Sequence, residues 1–154
     1  MTKGWDSGAA ASLIEAHIGR EGAMLPVLHA LQQAFGFISE DAMRLVAQRL
    51  NVTRAEVYGV VSFYHDFRTE PPGRHVLKIC RAEACQAMDG ERHADALLDR
   101  LGLDWGGTTA DGRLTIEPVY CLGLCACAPS AILDDEVHGR LDAGALEALA
   151  LGAV

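Results

Sequence analysis

Five cysteines occur in the chain, and four of them form two close pairs. The first pair is Cys80-Arg-Ala-Glu-Ala-Cys85 and the second is Cys121-Leu-Gly-Leu-Cys125. Thiolates are the ligands of iron–sulfur clusters, and a [2Fe–2S] centre takes four of them. Four cysteines can also hold one zinc ion, but structural zinc sites favour short Cys-x2-Cys knuckles. Spacings of Cys-x4-Cys and Cys-x3-Cys suit a larger object. Thiol–disulfide exchange calls for Cys-x-x-Cys at a helix start, and the chain has none. The reading is a [2Fe–2S] cluster on Cys80, Cys85, Cys121 and Cys125, with Cys127 a packed free thiol. Gly123 lies where the backbone must approach sulfur closely or take a positive φ. Small neighbours (Ala82, Ala84, Ala126, Ala128) leave amides free to hydrogen-bond the cluster. Arg81 and Glu83 are expected to be solvated, with Arg81 able to add positive charge near an anionic cluster.

The elements that must position these thiols fall into two halves. Residues 1–8 read as frayed. A helix is expected over Ala9–Gly19, where Ala10, Leu13, Ile14, His17 and Ile18 share a face. A second opens at Leu25-Pro26 and stops at Gly36. Ser39 is a candidate N-cap for a third, ending at Asn51. Thr53-Arg-Ala-Glu56 is a capping box for a fourth, predicted through Phe67. Thr69-Glu-Pro-Pro-Gly73 reads as a linker. The expected domains are therefore 1–73, a helical bundle, and 74–154, a small α/β unit. His17, His29 and His65 read as core-edge or surface residues, and the cluster Phe63-Tyr64-His-Asp-Phe67 as either a partner surface or, the favoured reading for Phe63 and Phe67, packing inside the helical unit. In the second half, His75–Ile79 is a strand running straight into Cys80, and Leu114–Val119 is a strand running into Cys121. A helix is predicted over Met88–Leu101, a hairpin around Asp134-Asp135, and a closing helix over Leu141–Leu151. Pro118 marks a bulge or an edge. The order β-α-β-β-β-α is the layout of a thioredoxin-like fold, so the fold class is α+β. Both thiol pairs would then lie on loops at one end of the sheet.

Bulk properties exclude several classes. Half of the 154 residues are apolar, enough for a core. The formal net charge of −8 without a basic stripe argues against nucleic acid. No apolar run nears the roughly 20 residues of a membrane helix, and Met1-Thr-Lys-Gly-Trp-Asp-Ser-Gly has no apolar segment of a secretory signal behind it. A cytoplasmic location with reduced thiols is expected. Gly106-Gly107 lacks the order of a nucleotide-binding loop.

The paired-cysteine pattern resembles the thioredoxin-like [2Fe–2S] subunit of NADH dehydrogenases, the small cluster subunit beside the flavin subunit of respiratory complex I. Val57-Tyr-Gly-Val-Val-Ser-Phe-Tyr64, Phe67 and Pro72-Gly73 extend the likeness upstream. Within that superfamily, Cys80-Arg-Ala-Glu-Ala-Cys85-Gln and Glu136-Val-His-Gly-Arg140 are more similar to the gamma subunit of soluble NAD-dependent formate dehydrogenases. Cys127 departs from both patterns. The resemblance implies an electron-transfer subunit that performs no substrate chemistry itself. It would dock on an FMN- and NAD-binding flavoprotein subunit, and through it reach a molybdenum- or tungsten-containing catalytic subunit. The equivalent subunit of an NADH:quinone oxidoreductase or an NAD-reducing hydrogenase is the alternative. A zinc-stabilised scaffold module is the alternative of another class.

Overall fold

The computed structural model describes residues 4–152. The chain divides into two compact units at Pro71–Pro72. Gly73, expected to end the linker, belongs to the second unit. Its amide donates to Thr115 Oγ1 at 2.7 Å, and a Cβ there would stand 3.0–3.1 Å from the backbone of Arg113 and Leu114.

The first unit holds α1 (Ser7–Glu15), α2 (Met24–Phe35), α3 (Glu40–Leu50) and α4 (Arg54–Phe63). Each start and stop has a local cause. Asp6 caps α1 by accepting from the amides of Gly8 and Ala9, so the helix begins at Ser7, inside the stretch expected to fray. It also ends at Glu15, short of Gly19. Met1–Lys3 lie outside the described residues. Gly36 closes α2 with φ at 87°, a conformation a Cβ disfavours. Ser39 accepts from Ala42 N, and Asn51 ends α3 in the left-handed region. Thr53 and Glu56 form the reciprocal capping box of α4. The helices bury Ile14, Val27, Leu28, Leu31, Val46 and Val57 completely, together with Ile38 in the α2–α3 turn.

The fourth helix stops at Phe63, four residues before the predicted end. Gln32 explains the early stop. Its side chain donates to Asp66 O at 2.6 Å and accepts from Arg68 N at 2.7 Å. Ile38 N adds a bond to Arg68 O. These bonds hold residues 66–68 in a turn and an irregular segment rather than a further turn of helix. Phe67 is buried as expected, but Phe63 is 73% exposed.

The second unit runs β1 (His75–Cys80), α5 (Glu83–Ala87), α6 (Gly90–Leu101), β2 (Leu114–Val119), a short 3-10 turn at Cys125–Cys127, β3 (Ser130–Leu133), β4 (Glu136–Gly139) and α7 (Ala143–Gly152). The sheet order is β2-β1-β3-β4. β1 and β2 are parallel, while β3 is antiparallel to β1 and to β4. β2 is an edge strand, which accommodates Pro118. Leu77, Ile79, Leu114, Ile116 and Ala131 from the sheet pack with Leu97 and Leu98 of α6 and Leu146 and Ala150 of α7. The β3–β4 turn is pinned to β1. Asp134 Oδ1 accepts from Val76 N at 2.9 Å, and Oδ2 lies 2.8 Å from His75 Nδ1. The architecture is α+β, N-terminal helices followed by a four-stranded mixed sheet with helices.

One expected element is broken in two. The helix predicted from Met88 starts instead at Gly90, and a separate helical turn, α5, precedes it. Asp89 between them takes φ at 62°. Cys85 therefore sits on a helix rather than on the loop expected for it. The closing helix α7 begins two residues later than predicted, where Asp142 Oδ1 accepts from Ala145 N at 2.7 Å.

Candidate metal centre

Topology brings the thiols to one end of the sheet. Cys80 is the last residue of β1 and pairs with Val119 of β2. Parallel strands end on the same side, so Cys121, two residues past Val119, emerges beside it. β3 runs the other way, so the segment leading into it, with Cys125, starts at this same end. Cys85 returns to the site on α5. That turn is held by Cys85 N and Gln86 N bonding to Ala82 O, and by the Gln86 side chain bonding to Arg81 O at 2.9 Å.

Cys80 lies beside Cys85 and Cys121 beside Cys125, each pair close enough for its members to interact. Cys80 and Cys85 are buried, whereas Cys121 and Cys125 are exposed. Burial pushes the Cys80 thiol up, but hydrogen bonds from the backbone of Ala82, the Cys85 thiol and the backbone of Cys121 and Leu122 outweigh it and bring Cys80 below the ordinary thiol value. Burial raises Cys85, and its bond to Cys80 adds to the rise against opposing bonds from the Ser130 hydroxyl and backbone. Cys125 is raised first by its bond to Cys121 and then by the charge of Cys121, with smaller contributions from burial and from the charges of Cys85 and Cys80. Both pairs thus act on Cys125.

In the second thiol loop Gly123 takes the expected positive φ, and Cys121 adds a left-handed φ that was not expected. Cys121 takes φ at 84° and Gly123 at 76°. The Gly123 amide donates to Cys121 Sγ at 3.4 Å. Cys127 is turned toward the hairpin. A Cβ on Gly139 would stand 2.9 Å from Cys127 Cβ and from its carbonyl oxygen, and Arg140 N donates to that carbonyl at 2.7 Å. Arg81 departs from expectation. Rather than being solvated, it is half-buried, lies 4.9 Å above the Trp105 ring and pairs with Glu91 at 2.5 Å. The bond to Glu91 raises its pKa further.

Two residues of the site escaped sequence reasoning. A Cβ on Gly90 would stand 2.6 Å from the Cys85 carbonyl oxygen and 3.3 Å from Pro129 Cβ. Only glycine lets α6 start this close to α5. Ser130, 1% exposed, places its Oγ 3.6 Å from Cys85 Sγ. Its one sequence signal is a hydroxyl heading the apolar run Ala131-Ile-Leu133. His17, His29 and His65 are remote in sequence from the thiols and lie half-buried or exposed in the helical unit. Among the described residues no three His, Cys, Asp or Glu side chains form a group that could hold a single metal ion.

Comparison with known proteins identifies the family. The model of the thioredoxin-like [2Fe–2S] ferredoxin family matches residues 10–151. The chain belongs to that family. Its cofactor is accordingly a [2Fe–2S] cluster rather than the zinc of the scaffold alternative. A subunit of the NADP-reducing hydrogenase of Solidesulfovibrio fructosivorans, HndA, is 35% identical over 131 residues, covering 85% of this chain and 77% of the relative. A subunit of an NADH-quinone oxidoreductase of Rhizobium meliloti is 39% identical over 130 residues, covering 84% of this chain and 77% of the relative. Among solved structures, the NAD+-reducing [NiFe]-hydrogenase in its H2-reduced state superimposes with a TM-score of 0.68 at 28% identity. That match covers 82% of this chain and 22% of the solved one, so the chain spans about a fifth of that longer polypeptide. No helix of the described residues is long and apolar enough to cross a membrane.

The donor set fits the cluster. Four thiols arranged as two pairs offer two thiolates to each of two irons. The Gly123 amide points at the Cys121 sulfur, and the backbone of Ala82 and Leu122 at that of Cys80. Hydrogen bonds of this kind orient ligands and stabilise sulfur charge.

Proposed function

We propose that this chain is an electron-transfer subunit whose [2Fe–2S] cluster is held by Cys80, Cys85, Cys121 and Cys125. The convergence of these four thiols at one sheet end, inner pair buried and outer pair exposed, carries the reading. When bound, the cluster takes up and gives back one electron. The protein's part is to fix the ligands, to bury one side of the cofactor and to leave the Cys121–Cys125 side open to a partner. Tyr120, large and exposed, directly precedes Cys121 in sequence. Cys127 is outside the ligand set, its Cβ being turned to Gly139.

The partner in this reading is an FMN- and NAD-binding flavoprotein subunit, and the setting is cytoplasmic. The relatives support an NADH:quinone oxidoreductase or an NAD-reducing hydrogenase as the parent complex. None of those named above is a formate dehydrogenase subunit, so the formate dehydrogenase assignment, with its molybdenum or tungsten subunit, rests on the loop residues Arg81–Gln86 and Glu136–Arg140 alone. Ligation is tested by single Cys→Ser variants, reading iron, acid-labile sulfide and the EPR signal of the reduced protein. Loss or distortion is expected for Cys80, Cys85, Cys121 and Cys125, and an unaltered spectrum for Cys127. An unchanged spectrum in any of the first four refutes the assignment. Affinity purification of the complex, with identification of the co-purifying chains, discriminates hydrogenase, quinone reductase and formate dehydrogenase.

A further inference from the structure

We propose that Ser130 donates its hydroxyl hydrogen to the sulfur of Cys85 and thereby raises the reduction potential of the bound cluster. The inference rests on the reading of Cys85 as a ligand. Ser130 Oγ lies 3.6 Å from Cys85 Sγ, within reach of a sulfur hydrogen bond, and Ser130 is 1% exposed. A ligating cysteine carries no proton, so the hydroxyl must be the donor. A buried hydroxyl without a partner is costly, and Ser130 heads a strand otherwise made of Ala131, Ile132 and Leu133. Both atoms are held in place from behind. Cys85 is backed by the close contact of its carbonyl with Gly90. Ser130 is fixed by its register with Gly139, and its neighbour Ala131 by pairing with Ile79 of β1.

The direction of the effect follows from charge. Reduction adds one electron to the cluster, and part of that charge resides on the ligand sulfurs. A donor hydrogen bond strengthens as its acceptor becomes more negative. Ser130 and Cys85 are both buried, so the gain is screened less than it would be at the surface. Ser130 therefore favours the reduced state, and hydrogen bonds to sulfur are among the levers that set such potentials.

The test is an EPR-monitored redox titration of the full chain, loaded with iron and sulfide under anaerobic conditions. Ser130→Ala is expected to move the midpoint to lower potential. The oxidised-to-reduced ratio at a given potential should rise about tenfold, which is about 59 mV for a one-electron couple. Ser130→Thr keeps the hydroxyl and should restore most of the shift. A midpoint does not depend on the fraction of chains loaded, so partial occupancy in a variant leaves the measurement valid. An unchanged midpoint in Ser130→Ala, or an equal drop in Ser130→Thr, overturns the proposal. The ligand reading fails by a different result, an intact spectrum in Cys85→Ser.

Discussion

Gly90→Ala places one methyl group where the structure has no room for it. Inside a helix, alanine stabilises relative to glycine by about 0.5–1 kcal/mol, and at this first position the gain is no larger. Here the new Cβ meets the Cys85 carbonyl oxygen at 2.6 Å, its carbonyl carbon at 3.1 Å and Pro129 Cβ at 3.3 Å. The nearest obstacle is backbone, not the end of a flexible side chain, so α5 or α6 must move by several tenths of an ångström. Overpacking of this kind costs about 1–3 kcal/mol. Set against the helical gain, the clash leaves a net loss of up to about 2.5 kcal/mol. For a domain of this size that corresponds to a fall in Tm of up to roughly 20 °C in the transition of the α/β unit. Because the displaced carbonyl belongs to a proposed ligand, iron should also leave faster under a chelator. The assay is thermal unfolding of the loaded chain, with iron content followed in parallel. A Gly90→Ala protein with an unchanged or higher Tm and unchanged iron retention would show that α5 yields freely, and the close-packing argument would fail.

Other substitutions separate backbone, capping and charge effects. Gly123→Ala meets no atom within 4 Å but must hold φ at 76°; the strain of about 1–2 kcal/mol should speed iron loss to a chelator without a steric clash, and equal loss rates would refute it. Thr53→Ala removes the N-cap of α4 and should destabilise the helical unit by about 1 kcal/mol in denaturant unfolding, leaving the EPR spectrum unchanged. Glu56 in the same box is held below the ordinary glutamate value, first by the Thr53 amide and then by its hydroxyl. Its contribution to stability is therefore present above the unfolded-state pKa and lost as pH falls through the lower folded value. Acid titration of stability should show this slope in the natural chain and a flatter one in Glu56→Gln.

What the sequence made legible was what local chemistry decides. Ser39, Thr53 and Asn51 bound their helices because a side-chain oxygen reaches a near amide, or because the residue tolerates a left-handed backbone. Gly123 was legible for the same reason. The misses are contacts between segments far apart in the chain. The apolar period continues from Met88 into α6, and nothing in that period reveals that Cys85 will press against Gly90. The end of α4 is set by Gln32, more than thirty residues away. The same period told which turn Phe63 occupies, but not that its ring would remain exposed. Ser130 reads as an ordinary polar strand residue until β3 is laid beside β1.

The spacing of the thiols follows from the same topology. A parallel neighbour for β1 cannot be reached by a tight turn; the chain must cross back over the sheet. Here α5 and α6 make that crossing, which separates the two cysteine pairs in sequence while the parallel register of Cys80 with Val119 brings them together in space. The return into antiparallel β3 needs only a short loop, so Cys121 and Cys125 stay close in sequence. A wide gap between pairs and narrow gaps within them is thus what one site built across a β-α-β crossover requires. A connection too short to cross the sheet would force β2 antiparallel to β1, and Cys80 and Cys121 would then stand at opposite ends.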